Sequence, residues 1–220
     1  MKTNSHRGQV ARVLVLTALF GGLGACSTPE RSRALDVPQV SARTIALQVC
    51  ANCHGAGGVS ESPAFPHLAG QMPSYLTAQL KAFKGHTRST DAGQAYMWGM
   101  SASLSDEQIA GLAQYFASQS APPAKAAPQT ALDEAKSLYL NGVAASNTPA
   151  CAACHGAHGE GLQDFPRLAG QHADYAFKQM LIFKEHDQRP GGAIMKGMLQ
   201  GLSEQQLKQL ALYMETLPHS

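Results

Sequence analysis

The pentapeptide Cys50-Ala51-Asn52-Cys53-His54 constrains this chain more than any other stretch, and Cys151-Ala152-Ala153-Cys154-His155 repeats it in the second half. C-x-x-C-H is the attachment signature of c-type haem. The two thiols add across the porphyrin vinyl groups, two intervening residues set the sulfur separation, and the histidine falls beneath the ring to bind iron. A zinc pair has no need of the adjacent histidine, and a thioredoxin-like dithiol sits in a βαβ pattern that is absent here. The motifs predict two covalently bound haems c, attached through Cys50, Cys53, Cys151 and Cys154, with His54 and His155 as axial iron ligands.

The motif belongs to a longer repeat. Phe65-Pro66-His67-Leu68-Ala69-Gly70-Gln71 matches Phe165-Pro166-Arg167-Leu168-Ala169-Gly170-Gln171. Tyr75, Gln79, Phe83, Lys84 and His86 match Tyr175, Gln179, Phe183, Lys184 and His186. Met97-Trp98-Gly99-Met100 matches Met195-Lys196-Gly197-Met198, and Leu104-Ser105 matches Leu202-Ser203. Each half is therefore read as one haem domain built as helix, haem loop, helix, loop, helix. Helices are expected from Ser41, near Pro73–Lys84 and from Ser105 in the first half. In the second they are expected over Ala131–Asn141, near Asp174–Lys184 and from Ser203. Pro73 suits a first helical position, and Ser105/Gln108 and Ser203/Gln206 have capping-box spacing. Ile109, Leu112, Ala113 and Phe116 share one apolar face, as do Leu207, Leu210, Ala211 and Met214. With no convincing alternating pattern, the fold class is all-α: two tandem haem domains, 41–118 and 131–220, joined by an Ala/Pro-rich linker at 119–130.

A 220-residue chain with only 15% charged residues suits compact helices around a large apolar group. Residues 1–25 read as a secretory signal: Lys2, Arg7 and Arg12 precede an apolar run from Val13 to Leu23, too short for a confident membrane span. Without those three cations, 14 basic residues face 15 acidic ones, and no basic patch points to nucleic acid. Four of the five cysteines serve the haem motifs. The fifth, Cys26, ends Leu23-Gly24-Ala25-Cys26, which resembles a bacterial lipobox and implies a lipid anchor followed by a tether over 26–40. Multiple acyl chains would hold such a protein stably to a membrane.

The sixth iron position decides between electron transfer and ligand chemistry. Equivalent domains should place equivalent ligands, which drops Met72 (opposite His172) and Met180 (opposite Leu80). His86/His186, Met97/Met195 and Met100/Met198 survive. The methionine pairs are read as lying in a loop and flanking a glycine, which favours a ligand over core filler. The repeat alone does not separate Met97 from Met100.

With its two C-x-x-C-H motifs, two F-P-x-L-A-G-Q segments and Met-x-Gly-x segments leading into Leu-Ser and a last helix, the chain resembles cytochrome c4 from Ser41 to Leu217. That is a family of dihaem, two-domain, class I-type cytochromes c. In that family the axial methionine lies seven residues before the Leu of Leu-Ser, which selects Met97 and Met195 here. Pro66 and Pro166 match the proline whose carbonyl accepts from the proximal imidazole and tunes the iron. Tyr75 and Tyr175 are read either as reaching a propionate or as packing. The resemblance implies an electron carrier, not an enzyme. It would take electrons from a bc1-type complex or periplasmic dehydrogenase and pass them to a terminal oxidase of a respiratory chain, on the periplasmic side of the envelope. The alternatives are a dihaem peroxidase, which needs a displaceable sixth ligand, and a haem subunit of a periplasmic dehydrogenase.

Overall fold

The computed structural model describes residues 40–127 and 132–218. The expected signal segment, Cys26, most of the tether, linker positions 128–130 and Ala131, the expected start of a helix, lie outside the described residues. Among the described residues the only β-structure is two isolated bridges, Val143 with Thr148 and Leu162 with Phe165. No described helix is long and apolar enough to cross a membrane.

In the first half, Ser41 caps α1 (Ala42–Ile45), its hydroxyl accepting from the Thr44 N–H at 3.1 Å. A π-turn over Ala46–Cys50 carries the chain straight into α2 (Ala51–His54), so the haem motif rides on the end of one continuous helical run. α3 spans Pro73–Lys84 with Pro73 in its first turn, where the missing N–H costs nothing. A second π-turn, Gly93–Met97, leads into α4 (Trp98–Ser101). α5 (Asp106–Ala117) opens on the Ser105/Gln108 capping box, with both reciprocal bonds made.

The second half repeats this course. α6 (Asp133–Asn141) precedes α7 (Ala152–His155), which carries the second haem motif. α8 spans Ala173–Glu185 and α9 Gly192–Leu199. α10 (Glu204–Thr216) opens on the Ser203/Gln206 capping box. The methionine segments read as loops are helical: Met97 closes a π-turn and Met195 lies within α9. Gly99 and Gly197 suggested loop, but each takes up helical backbone, which a glycine tolerates at modest cost.

Each half has its own core. Ile45, Ala46, Leu76, Leu104, Ile109, Leu112, Ala113 and Phe116 form the first, where α5 packs on α1 and α3. Val40, read as the end of the tether, is only 4% exposed there, and its carbonyl accepts from Gln108 Nε2. In the second core α10 packs on α6 and α8 through Leu138, Tyr139, Leu207, Leu210, Ala211 and Met214. Gly111 marks a close approach of α5 to α1: a Cβ there would sit 2.6 Å from Ala42 Cβ.

The domains are sewn together at matched positions. Gln71 reaches the backbone of Arg167, and Gln171 reaches the backbone of His67. The linker is pinned to the second domain by Lys125, whose N–H donates to the Glu215 carbonyl and whose Nζ meets Glu215 Oε1 at 2.7 Å.

Candidate haem sites and the seam between them

The two haem motifs present the same proximal arrangement. His54 Nδ1 lies 2.9 Å from the Pro66 carbonyl, and His155 Nδ1 lies 2.9 Å from that of Pro166. A carbonyl can only accept, so each Nδ1 carries the proton and each Nε2 keeps its lone pair. Both rings are buried, at 8% and 6% exposure. Burial holds both below the ordinary histidine pKa, outweighing the proline carbonyl that favours the cation. The result is a neutral imidazole with a fixed tautomer, as an iron ligand requires.

Among the described residues the four motif cysteines form no disulfide, which keeps their sulfurs available for thioether bonds to haem. Among the described residues no group of three or more His, Cys, Asp or Glu is arranged to hold a bare metal ion.

Phe65 stands edge-on to both His54 and Tyr96, with ring centroids 6.0 Å apart in each case. Tyr96 precedes Met97, so one aromatic contact links the proximal histidine to the methionine segment. His155 makes the corresponding edge contact with Phe165 at 6.1 Å. Met97 and Met195 are half-buried, while Met100 is 47% exposed and Met198 half-buried. Lys84 Nζ donates to the Leu104 carbonyl and Lys184 Nζ to that of Leu202, both at 2.6 Å. These bonds tie the end of the middle helix to the turn that leaves each methionine segment, which explains why both pairs recur in the repeat.

The histidine pair is used differently in the two domains. His86, at φ 58°, lies flat on Trp98 with centroids 4.0 Å apart. His186 is 66% exposed beside Glu185.

Sequence reasoning missed the cluster at the seam. Arg88 Nη2 donates to Tyr175 Oη and Gln179 Oε1 of the other domain, and Arg189 Nη2 to Tyr75 Oη and Gln79 Oε1. Each guanidinium also covers a phenyl ring of its own domain, Phe83 or Phe183, at 4.4 Å. Tyr75 and Tyr175 are thus hydroxyl partners of arginine across the seam. Burial pushes the Tyr175 hydroxyl up, but the two guanidiniums together outweigh it and hold the group below its ordinary value. Both arginines lie 87 to 114 positions from the residues they bond in the other half, and the repeat slips by one residue before them (His86-Thr87-Arg88 against His186-Asp187-Gln188-Arg189). An arginine just past the middle helix in both halves was the available signal.

The cluster also tests whether the site suits haem. Arg88 and Arg189 are buried, at 6% and 8% exposure, and no salt bridge to a carboxylate is made by either among the described residues. Arg88 Nε, Arg189 Nε and Gln79 Nε2 are buried donors with no hydrogen-bond partner. Buried cations and orphaned donors are costly unless an anion meets them. Haem propionates have the required charge and acceptors, so these residues fit the group.

Comparison with known proteins agrees with this chemistry. The Cytochrome c family model matches residues 40–120 and again 132–218. Cytochrome c4 of Azotobacter vinelandii is 37% identical over 178 residues, 77% of this chain and 84% of that protein. The thiosulfate dehydrogenase electron acceptor of Stutzerimonas stutzeri is 32% identical over 173 residues, 76% of this chain and 78% of that protein. The solved Acidithiobacillus ferrooxidans cytochrome c4 superimposes with a TM-score of 0.70 at 36% identity, covering 76% of this chain and 98% of that one. With two C-x-x-C-H helices, two buried neutral histidines and this likeness over both halves, the chain belongs to the cytochrome c4 family: an electron carrier with two covalently bound haems c.

Proposed function

We propose that Met97 and Met195 close the two irons opposite His54 and His155. The chain then passes single electrons in the cell envelope from a bc1-type complex or periplasmic dehydrogenase to a terminal oxidase of a respiratory chain. The observation that carries the ligand assignment is the fate of the competing side chains. His86 is engaged by Trp98 and His186 is exposed, which leaves the methionine pairs, and the family spacing of Met97 to Leu104 and Met195 to Leu202 favours these two over Met100 and Met198.

Bound haem would supply the ferrous–ferric couple, and the residues that would hold its iron are His54 and Met97 in the first domain and His155 and Met195 in the second. The prolyl carbonyls of Pro66 and Pro166 orient the proximal imidazoles, and a thioether on the far side favours ferrous iron and raises the potential relative to a second histidine. A peroxidase would need one of those sixth positions to open.

In the same reading, residues 1–25 are removed, Cys26 carries the lipid, 26–40 is the tether, 41–118 and 131–220 are the haem domains and 119–130 the linker. Anchoring on the periplasmic face would raise the effective concentration at a membrane partner. Mass spectrometry of the mature N-terminus tests it: an acylated Cys26 supports the anchor, and a free thiol at that position contradicts it.

One relative favours a narrower donor. The Stutzerimonas protein is named an electron acceptor of thiosulfate dehydrogenase. Reduction of this chain by a thiosulfate dehydrogenase plus thiosulfate, faster than by a bc1-type complex, would select that donor. Oxidation of the reduced protein by a membrane fraction containing the terminal oxidase tests the acceptor, and failure of that oxidation would remove it.

A further inference from the structure

The two glutamine clasps at the seam occupy equivalent positions but have different surroundings. Beside Gln71 stand Met72 and Arg167. Beside Gln171 stand His172 and His67, which stack with centroids 3.9 Å apart and planes tilted by 30°. One clasp is therefore built on a permanent cation and a thioether, and the other on two imidazoles.

The histidine side of the seam turns on Ser60. Its N–H donates to His67 Nδ1 at 3.0 Å, its carbonyl accepts from His172 Nε2 at 2.9 Å, and its hydroxyl donates to the Cys53 carbonyl at 3.0 Å. One serine thus joins the first haem-attachment turn to a histidine of each domain. Both rings are buried, His67 at 9% and His172 at 5% exposure. Because Ser60 donates to it, His67 Nδ1 must keep its lone pair, so His67 is neutral in the docked state. His172 Nδ1 is buried with no hydrogen-bond partner, 3.7 Å from Glu215 Oε1, which Lys125 Nζ already holds.

We propose that His67 and His172 form an acid-sensitive latch between the two haem domains, closed while His67 is neutral and released when it takes a proton. Protonation at Nδ1 breaks the Ser60 bond and sets an N–H against an N–H. It also places a cation beside the His172 ring and near Lys125, with Glu215, already engaged, the only carboxylate facing the pair among the described residues. Consistent with that geometry, His67 is pushed down to about 4, first by burial and then by His172 and Lys125, with Glu215 opposing.

In the undocked state His67 meets water and titrates near its ordinary value of about 6.5. The latch is thus at full strength above that pH. It weakens as pH falls, because the undocked form binds the proton first, and the loss is complete once pH passes below the docked value. The expected weakening of docking over that window is roughly a hundredfold. The latch rests on the geometry of the seam and not on the proposed electron-transfer role.

The test uses the full-length holoprotein, with domain docking measured by small-angle scattering and urea titration between pH 7.5 and 4. Asparagine places an oxygen where His67 has Nδ1, so His67→Asn keeps the acceptor for Ser60 and removes the titration. Wild type should lose docking as pH falls through this window, and His67→Asn should not. If both lose it together, or wild type remains equally docked down to pH 4, the latch is refuted. Should His67→Asn fail to dock at pH 7.5, proton NMR of the ferrous wild type decides. A His67 ring midpoint near 4 supports the latch, and one near the ordinary value overturns it.

Discussion

Gln71 of the first domain and Arg167 of the second exchange two hydrogen bonds. Gln71 Nε2 donates to the Arg167 carbonyl at 2.9 Å, and the Arg167 N–H donates to Gln71 Oε1 at 2.7 Å. Gln171 and His67 repeat the exchange at 3.0 and 2.9 Å. A side-chain amide thus plays the part of a neighbouring strand for one residue of the opposite domain. Each glutamine oxygen also accepts from the N–H of the next residue, Met72 or His172.

Removing either amide strands backbone groups at the seam. Gln71→Ala and Gln171→Ala should each weaken docking by about 1–3 kcal/mol, the cost of leaving a buried group unpaired. Scanning calorimetry reads this as a cooperative two-domain melt separating into two transitions. A melt indistinguishable from wild type in both variants would mean that the clasps contribute nothing to docking.

Gly111 lets α5 cross α1 at close range. Gly111→Ala brings a Cβ to 2.6 Å from Ala42 Cβ, and the helices must part. Alanine's better helix propensity gains up to about 1 kcal/mol, while forced overpacking costs about 1–3 kcal/mol. Net destabilisation of the first domain is expected as a lower urea midpoint, with the second domain unaffected. A higher midpoint would show that the crossing relaxes freely.

Ser105 and Ser203 each satisfy the N–H groups at the start of the last helix of their domain. Replacing either by alanine should cost about 1 kcal/mol in its own domain. Domain-resolved hydrogen exchange of α5 and α10 checks this, and protection unchanged in both helices would contradict it.

Arg88 and Arg189 bring positive charge into the seam with no carboxylate partner among the described residues. Ferric haem carries one more positive charge than ferrous, so a nearby cation favours reduction. Arg88→Gln and Arg189→Gln should lower the midpoint potentials, by on the order of tens of millivolts for a partly screened charge. Potentiometric titration measures the shift. Unchanged potentials in both variants would place the guanidiniums outside the electrostatic reach of the haems.

Much of this architecture was legible because it is local. Cys50 to His54 names its cofactor by spacing, and Ser105/Gln108 names a helix start by reciprocal hydrogen bonding. The apolar faces of α5 and α10 follow from their period. Duplication doubled each signal. The seam was not legible, because its bonds join residues far apart in sequence, and Arg88, His67 and His172 carry no motif. Two of those three break the repeat: His67 stands opposite Arg167, and His172 opposite Met72. A filter that keeps only equivalent positions discards such residues, although the two docking surfaces differ at these places. Met97 and Met195 were singled out by repeat and resemblance, but the glycine close to each concealed that its backbone is helical.

The central claim, two irons each closed by a methionine, is tested most directly by the far-red sulfur-to-iron charge-transfer band of the ferric protein. The account predicts a band with the intensity of two haems, falling to half in Met97→Ala and to half in Met195→Ala. A band left unchanged by either substitution, or a high-spin ferric protein without the band, would contradict it.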